Sequence, residues 1–191
     1  MQDNYIINLL NTEYKNKYGI SRDEIVREYF SFLSYDVRIL EVGCHLGAQL
    51  SVLKEHGFKD LWGIENDSNV ISKAKMLAKD VNIINASLTE MPFKDNYFDL
   101  VFTSGILVDF TEQEKLLQAM NEIIRVSKKY IFGLESFDTD FVSENEINVL
   151  SVREYFECFK EFDPKLKLIQ ERFMPYKDED KMDVIYLLGR E

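Results

Sequence analysis

The chain reads Ile39-Leu40-Glu41-Val42-Gly43-Cys44-His45-Leu46-Gly47 where an apolar run meets the start of a helical pattern. The apolar and β-branched residues of 37–42 predict a strand, and the glycines that follow predict a tight turn. Leu46, Leu50 and Leu53 recur at the three- and four-residue spacing of a helix face. A strand, a glycine turn and a helix in this order bring backbone N–H groups and a helix N-terminus to one point, where they can bind a ligand.

The spacing of the glycines distinguishes between two classes of ligand. A dinucleotide-binding turn reads G-x-G-x-x-G, but His45 occupies the position of the middle glycine here. The turn instead reads E-x-G-x-x-x-G, with Glu41 two residues ahead of Gly43. This pattern resembles motif I of the class I S-adenosylmethionine-dependent methyltransferases. The resemblance implies that Glu41 lies beneath the ammonium or ribose end of the cofactor. The methionyl part is then wrapped by the turn residues Gly43, Cys44, His45 and Gly47.

A second landmark of the same family is an acid at the end of the second strand. The sequence Leu61-Trp62-Gly63-Ile64-Glu65 is such a run, and its carboxylate follows Gly43 by twenty-two residues. A carboxylate can accept hydrogen bonds from two adjacent hydroxyl groups, and charge-assisted bonds of this kind are the stronger sort. The resemblance implies that Glu65 binds the two ribose hydroxyls of S-adenosylmethionine and that Asn66 contacts the cofactor beside it.

Two further segments follow in the order of the family's motifs. The first, Asn85-Ala86-Ser87-Leu88-Thr89-Glu90-Met91-Pro92-Phe93, resembles the segment after the third strand. Ser87 stands in it where an aspartate usually contacts the adenine amino group, and the backbone of Leu88 offers a further adenine contact. The second, Phe98-Asp99-Leu100-Val101-Phe102-Thr103-Ser104-Gly105-Ile106-Leu107, resembles motif IV and predicts a strand buried on both faces. The cofactor contacts expected at its end are Thr103 and Ser104.

A narrower likeness extends over roughly residues 37–190. Segments 104–110, 124–131 and 164–168 resemble the methylases associated with pseudaminic acid biosynthesis, and so does the turn 43–47, where those proteins often read G-C-N-I-G. This resemblance implies a sugar or nucleotide-sugar acceptor in a surface-glycan pathway. Asp109 stands where that group tends to carry a histidine.

Strand and helix patterns alternate along the chain. The predicted strands lie near 37–42, 61–65, 82–85, 98–103 and 129–134, and the predicted helices near 46–56, 69–80 and 111–127. The alternation predicts a Rossmann-like, doubly wound α/β fold with a mostly parallel sheet and helices on both faces. A helix near 152–160 and strands at 166–173 and 182–188 follow. By resemblance to the methyltransferase fold, these strands are the sixth and seventh of a seven-stranded sheet whose last strand is antiparallel.

The ends of the predicted elements suggest how the chain is divided. Residues 1–36 carry helical periodicity and are expected to form an N-terminal helical cap on a single methyltransferase domain at 37–191. Ser21 with Glu24 predicts a capping box in this region, and Thr111 with Glu114 predicts another before the helix at 111–127. The acidic, aromatic-containing loop from 135 to 146 is longer than a simple connection and predicts a substrate lid.

Composition limits the partners and the compartment. The 191 residues, 46% of them hydrophobic, suffice for one domain with a full core. No apolar run approaches the roughly 20 residues of a membrane span, and the N-terminal residues do not resemble a signal peptide. Two isolated cysteines predict a cytoplasmic protein with reduced thiols and no metal site. A net charge of −11 without a basic stripe disfavours nucleic acid as a partner. The oligomeric state stays open.

Two acids are candidates for a catalytic base. Asp109 follows the fourth predicted strand and Glu135 ends the fifth, and ligands of open α/β sheets bind at the carboxyl ends of strands. An oxygen acceptor needs its proton removed during attack, whereas a nitrogen acceptor needs less help. Three functions stay open: methyl transfer to oxygen or nitrogen of a small molecule, methyl transfer to a protein or nucleic acid, and S-adenosylmethionine binding without catalysis.

Overall fold

A computed structural model describes residues 2–137, 152–176 and 182–190 of the chain. The helices are α1 (Gln2–Tyr18), α2 (Arg22–Tyr29), α3 (Ala48–Glu55), α4 (Ser68–Leu77), α5 (Gln113–Val126) and α6 (Val152–Phe162). The strands are β1 (Arg38–Val42), β2 (Asp60–Glu65), β3 (Asn82–Asn85), β4 (Phe98–Ser104), β5 (Ser127–Phe137), β6 (Leu166–Pro175) and β7 (Met182–Arg190). A short 3₁₀ turn at Leu107–Asp109 lies between β4 and α5.

The seven strands form one sheet in the order β3-β2-β1-β4-β5-β7-β6. Strands β1 to β5 pair in parallel, and β7 inserts antiparallel between β5 and β6. The predicted doubly wound α/β fold with an antiparallel last strand is therefore confirmed. Because the strand order reverses between β1 and β4, the segments that follow these two neighbouring strands lead to helices on opposite faces of the sheet and leave a crevice for a ligand.

The sheet separates two apolar cores, as expected for strands buried on both faces. Helices α1 to α4 cover one face, where Ile39, Leu53 and Phe132 are buried. Helices α5 and α6 cover the other, where Leu40 and Ile123 are buried. The predicted N-terminal cap contributes to the first core, since the Phe30 ring on the residue after α2 lies 5.8 Å from that of Phe102 and 5.1 Å from that of Phe132.

Of the two predicted capping boxes, one is confirmed and one is wrong. Ser21 accepts a hydrogen bond from Glu24 N–H, and the Glu24 carboxylate accepts one from Ser21 N–H at 2.8 Å. Thr111 does not cap α5, because the preceding 3₁₀ turn delays the helix until Gln113. Its N-cap is then Glu112, whose side chain makes no capping hydrogen bond. The sequence pattern was present, but it lay two residues before the helix.

Strand β5 is longer than predicted and includes the first residues of the predicted lid. Residues 135–137 belong to the predicted substrate lid, but in the structure they form the end of this strand and pair with β7. The rest of the predicted lid, 138–146, lies outside the described residues. Residues 177–181, between the last two strands, also lie outside them. Within the part of the chain that the structure describes, no helix has the length and apolar character that a membrane crossing needs.

Candidate cofactor and acceptor site

A cavity of about 780 Å³ opens at the carboxyl ends of the central strands, where the strand order reverses. Its volume lies within the range of roughly 300–1,000 Å³ that is common for small-molecule sites. The lining residues come from the last residues of β2 and β4, the turns after β1, β2, β3 and β4, and the first turns of α4 and α5. They are Gly43, His45, Glu65, Asn66, Asp67, Val70, Ser87, Leu88, Thr89, Ser104, Gly105, Ile106, Asp109, Phe110 and Lys115.

The turn after β1 needs glycine at both of its ends. Gly43 has φ of +73°, and a Cβ added to it would lie 2.6 Å from Cγ1 of Ile106. Gly47 has φ of +74°, and a Cβ there would lie 2.7 Å from Cβ of Ala78. A larger residue would therefore be strained in backbone and would collide as well. The glycine spacing in the sequence thus reflects close packing of the turn against a neighbouring loop and against the end of α4.

His45, between the two glycines, also has a positive φ, at +45°. Only glycine and, to a lesser degree, asparagine and a few other residues adopt this region readily. The position therefore suits the asparagine of the G-C-N-I-G pattern described above, and His45 adopts this left-handed backbone conformation in its place. Its exposed side chain lines the cavity, while its backbone N–H donates to Glu65 Oε2 at 3.1 Å.

Glu65 is held in place by backbone N–H groups. Its Oε1 accepts from Asn66 N–H at 2.8 Å and from Asp67 N–H at 3.0 Å, and its Oε2 accepts from His45 N–H. A carboxylate offers about four acceptor positions, so three are used and Oε2 retains room for one further donor. The carboxylate is therefore preorganised to accept a ligand hydroxyl, and a contact to two hydroxyls would require one of the backbone bonds to open.

The turn after β3 forms the wall of the cavity expected to contact adenine. Ser87, Leu88 and Thr89 line it, and Ser87 Oγ accepts from Thr89 N–H at 3.2 Å. The chain just beyond is clamped by Arg125 of α5, which donates to Met91 O at 2.9 Å and to Phe93 O at 2.7 Å. Sequence reasoning missed Arg125, because these contacts join residues more than thirty positions apart and leave no local pattern.

Four residues predicted to contact the cofactor are buried beneath the cavity and do not line it. They are Glu41, Cys44, Gly47 and Thr103. The Cys44 side chain packs against Gly63, where an added Cβ would lie 2.6 Å from Sγ, and its N–H donates to Ile64 O. Burial raises the pKa of Glu41 to about 8, although the Arg22 guanidinium and the Leu50 N–H oppose the shift. These buried residues therefore pack on the interior side of the cavity wall and do not face the cavity.

The two candidate bases have different surroundings. Asp109 is exposed, ends the 3₁₀ turn and lines the cavity. Glu135 is fully buried and does not line it; its Oε2 accepts from Leu107 N–H at 3.0 Å. Burial raises the pKa of Glu135 to about 8, and the Asp183 and Asp109 carboxylates act in the same direction. The structure therefore places Asp109, but not Glu135, at the cavity.

The charge of the cavity is predominantly negative. Carboxylates of Glu65, Asp67 and Asp109 line it, against the one ammonium group of Lys115 among the lining residues. Lys115 also pairs with Glu112 at 2.5 Å. Such a surface attracts a cationic ligand and repels a polyanion. Sequence reasoning had not singled out Asp67, Lys115 or Phe110, which reach the cavity because the segments after β2 and β4 and the start of α5 lie at the same edge of the sheet.

Known proteins resemble this chain in both sequence and fold. Residues 40–132, just under half of the chain, match the family model of a methyltransferase domain. An uncharacterized protein of Methanocaldococcus jannaschii is 31% identical over 56% of this chain, and that stretch is 45% of its own length. The ubiquinone/menaquinone biosynthesis C-methyltransferase UbiE of Vibrio cholerae is 30% identical over 46% of this chain and 37% of its own length.

Among solved structures, magnesium protoporphyrin IX methyltransferase of Synechocystis with bound S-adenosylmethionine superposes with a TM-score of 0.70. The superposition covers 89% of this chain and 78% of that chain, at 12% identity. This likeness is one of fold alone. The chain spans less than half the length of the curated relatives it matches.

Proposed function

We propose that this chain, whose residues 40–132 match the family model of a methyltransferase domain and whose fold is that of the class I S-adenosylmethionine-dependent methyltransferases, transfers a methyl group to a small-molecule acceptor. Its cofactor is S-adenosylmethionine. The observation that carries the proposal is one cavity that combines the positive-φ glycine turn, the preorganised Glu65 carboxylate and the exposed Asp109.

The residues present fit the cofactor. Gly43 lines the cavity and allows the tight positive-φ turn beneath it, and Glu65 Oε2 has an acceptor position for a ribose hydroxyl. Ser87 and Leu88 lie where the adenine ring is expected, and the carboxylates of the cavity favour a positively charged ligand. When bound, S-adenosylmethionine supplies a methyl group on a cationic sulfur.

Asp109 is proposed as the group that removes the acceptor's proton. It lies on the cavity wall formed by the turn after β4, which also contributes Ser104 and Ile106. Much of the acceleration in methyl transfer comes from alignment of donor and acceptor at about 3–3.5 Å, and these residues would shape the space for the acceptor. An oxygen acceptor gains further from a base within hydrogen-bond reach.

We propose a sugar or a nucleotide-sugar as the acceptor, in line with the resemblance to methylases associated with pseudaminic acid biosynthesis. The balance of three carboxylates to one ammonium group in the cavity favours the neutral sugar of the two. The 780 Å³ cavity suits a small molecule beside the cofactor better than a folded protein substrate.

The replacement Asp109→Asn tests the proposal. We expect it to lower kcat with the best acceptor by about 10²–10⁴-fold, the usual contribution of a general base, and to leave the affinity for S-adenosylhomocysteine, which lacks the sulfonium charge, unchanged. The measurement is formation of S-adenosylhomocysteine with panels of neutral sugars and nucleotide-sugars. Asp80→Asn, on an exposed residue outside the cavity lining, serves as the matched control. A wild-type protein that binds the cofactor but methylates no acceptor would instead support the non-catalytic alternative.

A further inference from the structure

Glu135 contacts the site without lining the cavity. Its side chain is fully buried at the end of β5, and its Oε2 accepts the N–H of Leu107 at 3.0 Å. Leu107 opens the 3₁₀ turn and is itself buried. The carboxyl group therefore holds the backbone of the turn from the protein interior.

The segment held in this way forms one wall of the cavity. Residues 104–106 and 109–110 line it on either side of Leu107. Ile106 also packs against Gly43, so the position of the segment sets the space over the glycine turn. A second bond, from Gly105 N–H to Leu134 O at 2.8 Å, ties the same segment to β5. These two bonds fix residues 104–110 relative to the sheet.

The surroundings of Glu135 are unfavourable for a carboxyl group. Thr103 of β4 and Tyr186 of β7 lie near it on the same face of the sheet. Among the described residues, Oε1 of Glu135, Oγ1 of Thr103 and Oη of Tyr186 are buried and make no hydrogen bond of good geometry, although the Thr103 hydroxyl lies close enough to influence both other groups. A buried polar atom without a partner costs about 1–3 kcal/mol. A packed apolar side chain would avoid this cost, so stability alone does not account for a glutamate at this position.

We propose that Glu135 is a positioning residue for the methyl-transfer site. By accepting the Leu107 N–H, it holds residues 104–110, and with them Asp109, in place at the cavity. A carboxyl oxygen can accept this bond whether or not the group carries a proton. The role rests on the proposed function, and it differs from that of a base, which must reach the acceptor.

Three replacements of Glu135 separate positioning from other roles. Glu135→Gln keeps an acceptor oxygen at the same distance from the backbone. Glu135→Asp keeps the carboxyl group on a shorter side chain, and Glu135→Met keeps the side-chain length but has no oxygen. Hydrogen exchange of the Leu107 amide, measured by NMR, reports the bond directly, with the Ile123 amide in α5 as internal reference. Titration with S-adenosylhomocysteine reports the effect on the cavity.

We expect Glu135→Gln to behave like the wild type in both measurements. With Asp or Met at this position, Leu107 should exchange at least about 10-fold faster while Ile123 is unchanged, because local opening needs less free energy once the bond is lost. S-adenosylhomocysteine should bind about 3- to 10-fold more weakly to both, in line with loss of one hydrogen bond. If one of these two variants does not fold, the other alone carries the comparison with Gln.

Two results would overturn the inference. The first is unchanged Leu107 exchange and unchanged affinity in the Asp and Met variants. The second is a Gln variant that binds S-adenosylhomocysteine normally but no longer transfers methyl groups, since Glu135 would then act in the chemistry itself. Failure of the proposed function looks different: the wild type would methylate no acceptor, while the Leu107 exchange pattern would stand.

Discussion

Raising the pH from about 5 to about 8 is expected to lower the free energy of unfolding, because two buried carboxyl groups keep their protons only in the folded protein. Burial raises the pKa of Glu41 and of Glu135 from 4.5 to about 8. Between these values the folded state binds more protons than the unfolded state, so stability declines as pH rises. Each group contributes up to about 1.4 kcal/mol per pH unit, and the decline ends only above pH 8, once both groups are ionised in the folded protein.

Urea denaturation at several pH values between 5 and 8.5 measures this slope. Glu41→Gln and Glu135→Gln should each remove about half of it, and the double replacement most of it. Carboxyl groups with lowered pKa values affect stability at lower pH. The hydrogen bond from Arg125 lowers the pKa of Glu122, so the contribution of Glu122 to the free energy of unfolding is lost as the pH falls through that lowered pKa. A wild-type stability that is constant or rises between pH 5.5 and 7.5 would contradict the assignment of protonated, buried Glu41 and Glu135.

The replacement Gly133→Ala is expected to be among the most destabilising single changes in the described chain. Gly133 of β5 pairs with Thr103 of β4 and Tyr186 of β7, and the Tyr186 ring lies directly over it. A Cβ at this position would overlap the ring, which is buried against Tyr155 and Phe159 and has little room to move. Overpacking typically costs about 1–3 kcal/mol, occasionally more, and we expect a loss of about 3 kcal/mol or more.

Two further variants isolate the steric cause. Gly105→Ala introduces a Cβ with nothing within 4 Å, at φ of +65°, so it should cost only the backbone strain of about 1–2 kcal/mol. Combining Gly133→Ala with Tyr186→Leu should recover part of the stability, because the overlap with the ring is removed. Thermal or urea unfolding measures all three. A Gly133→Ala protein within 0.5 kcal/mol of the wild type would show that Tyr186 can move aside.

Much of the fold could be predicted because its signals are local. The glycine turn after β1 and the acid at the end of β2 each lie within a short stretch of sequence. The chemistry of the proposed ligand explains the residue types found there. Asp109 could be placed for the same reason, since it follows the end of a recognisable strand. The failure at Thr111 shows the limit of such patterns: the capping motif was present, but the 3₁₀ turn before it moved the helix start.

The environment of Glu135 could not be predicted, because it is assembled from distant parts of the chain. Its position at the end of β5 suggested a residue facing the ligand. Instead, β7 inserts beside β5 and brings Tyr186 against the same face, while Leu107 covers the carboxyl from the other side. The clamp of Arg125 on the chain at Met91 and Phe93 was missed for a similar reason.

The central claim is that the cavity binds S-adenosylmethionine through Glu65. Calorimetric titration of the wild type with S-adenosylmethionine and S-adenosylhomocysteine, with NAD as control ligand, tests it most directly. We expect micromolar binding of both sulfur ligands and none of NAD. Glu65→Ala should weaken binding by at least about 1.5 kcal/mol, the scale of a hydrogen bond to a charged group. Glu90→Ala, on an exposed acid outside the cavity lining, should bind as the wild type does. Equal affinity of the Glu65→Ala and wild-type proteins, or no binding by either, would contradict the claim.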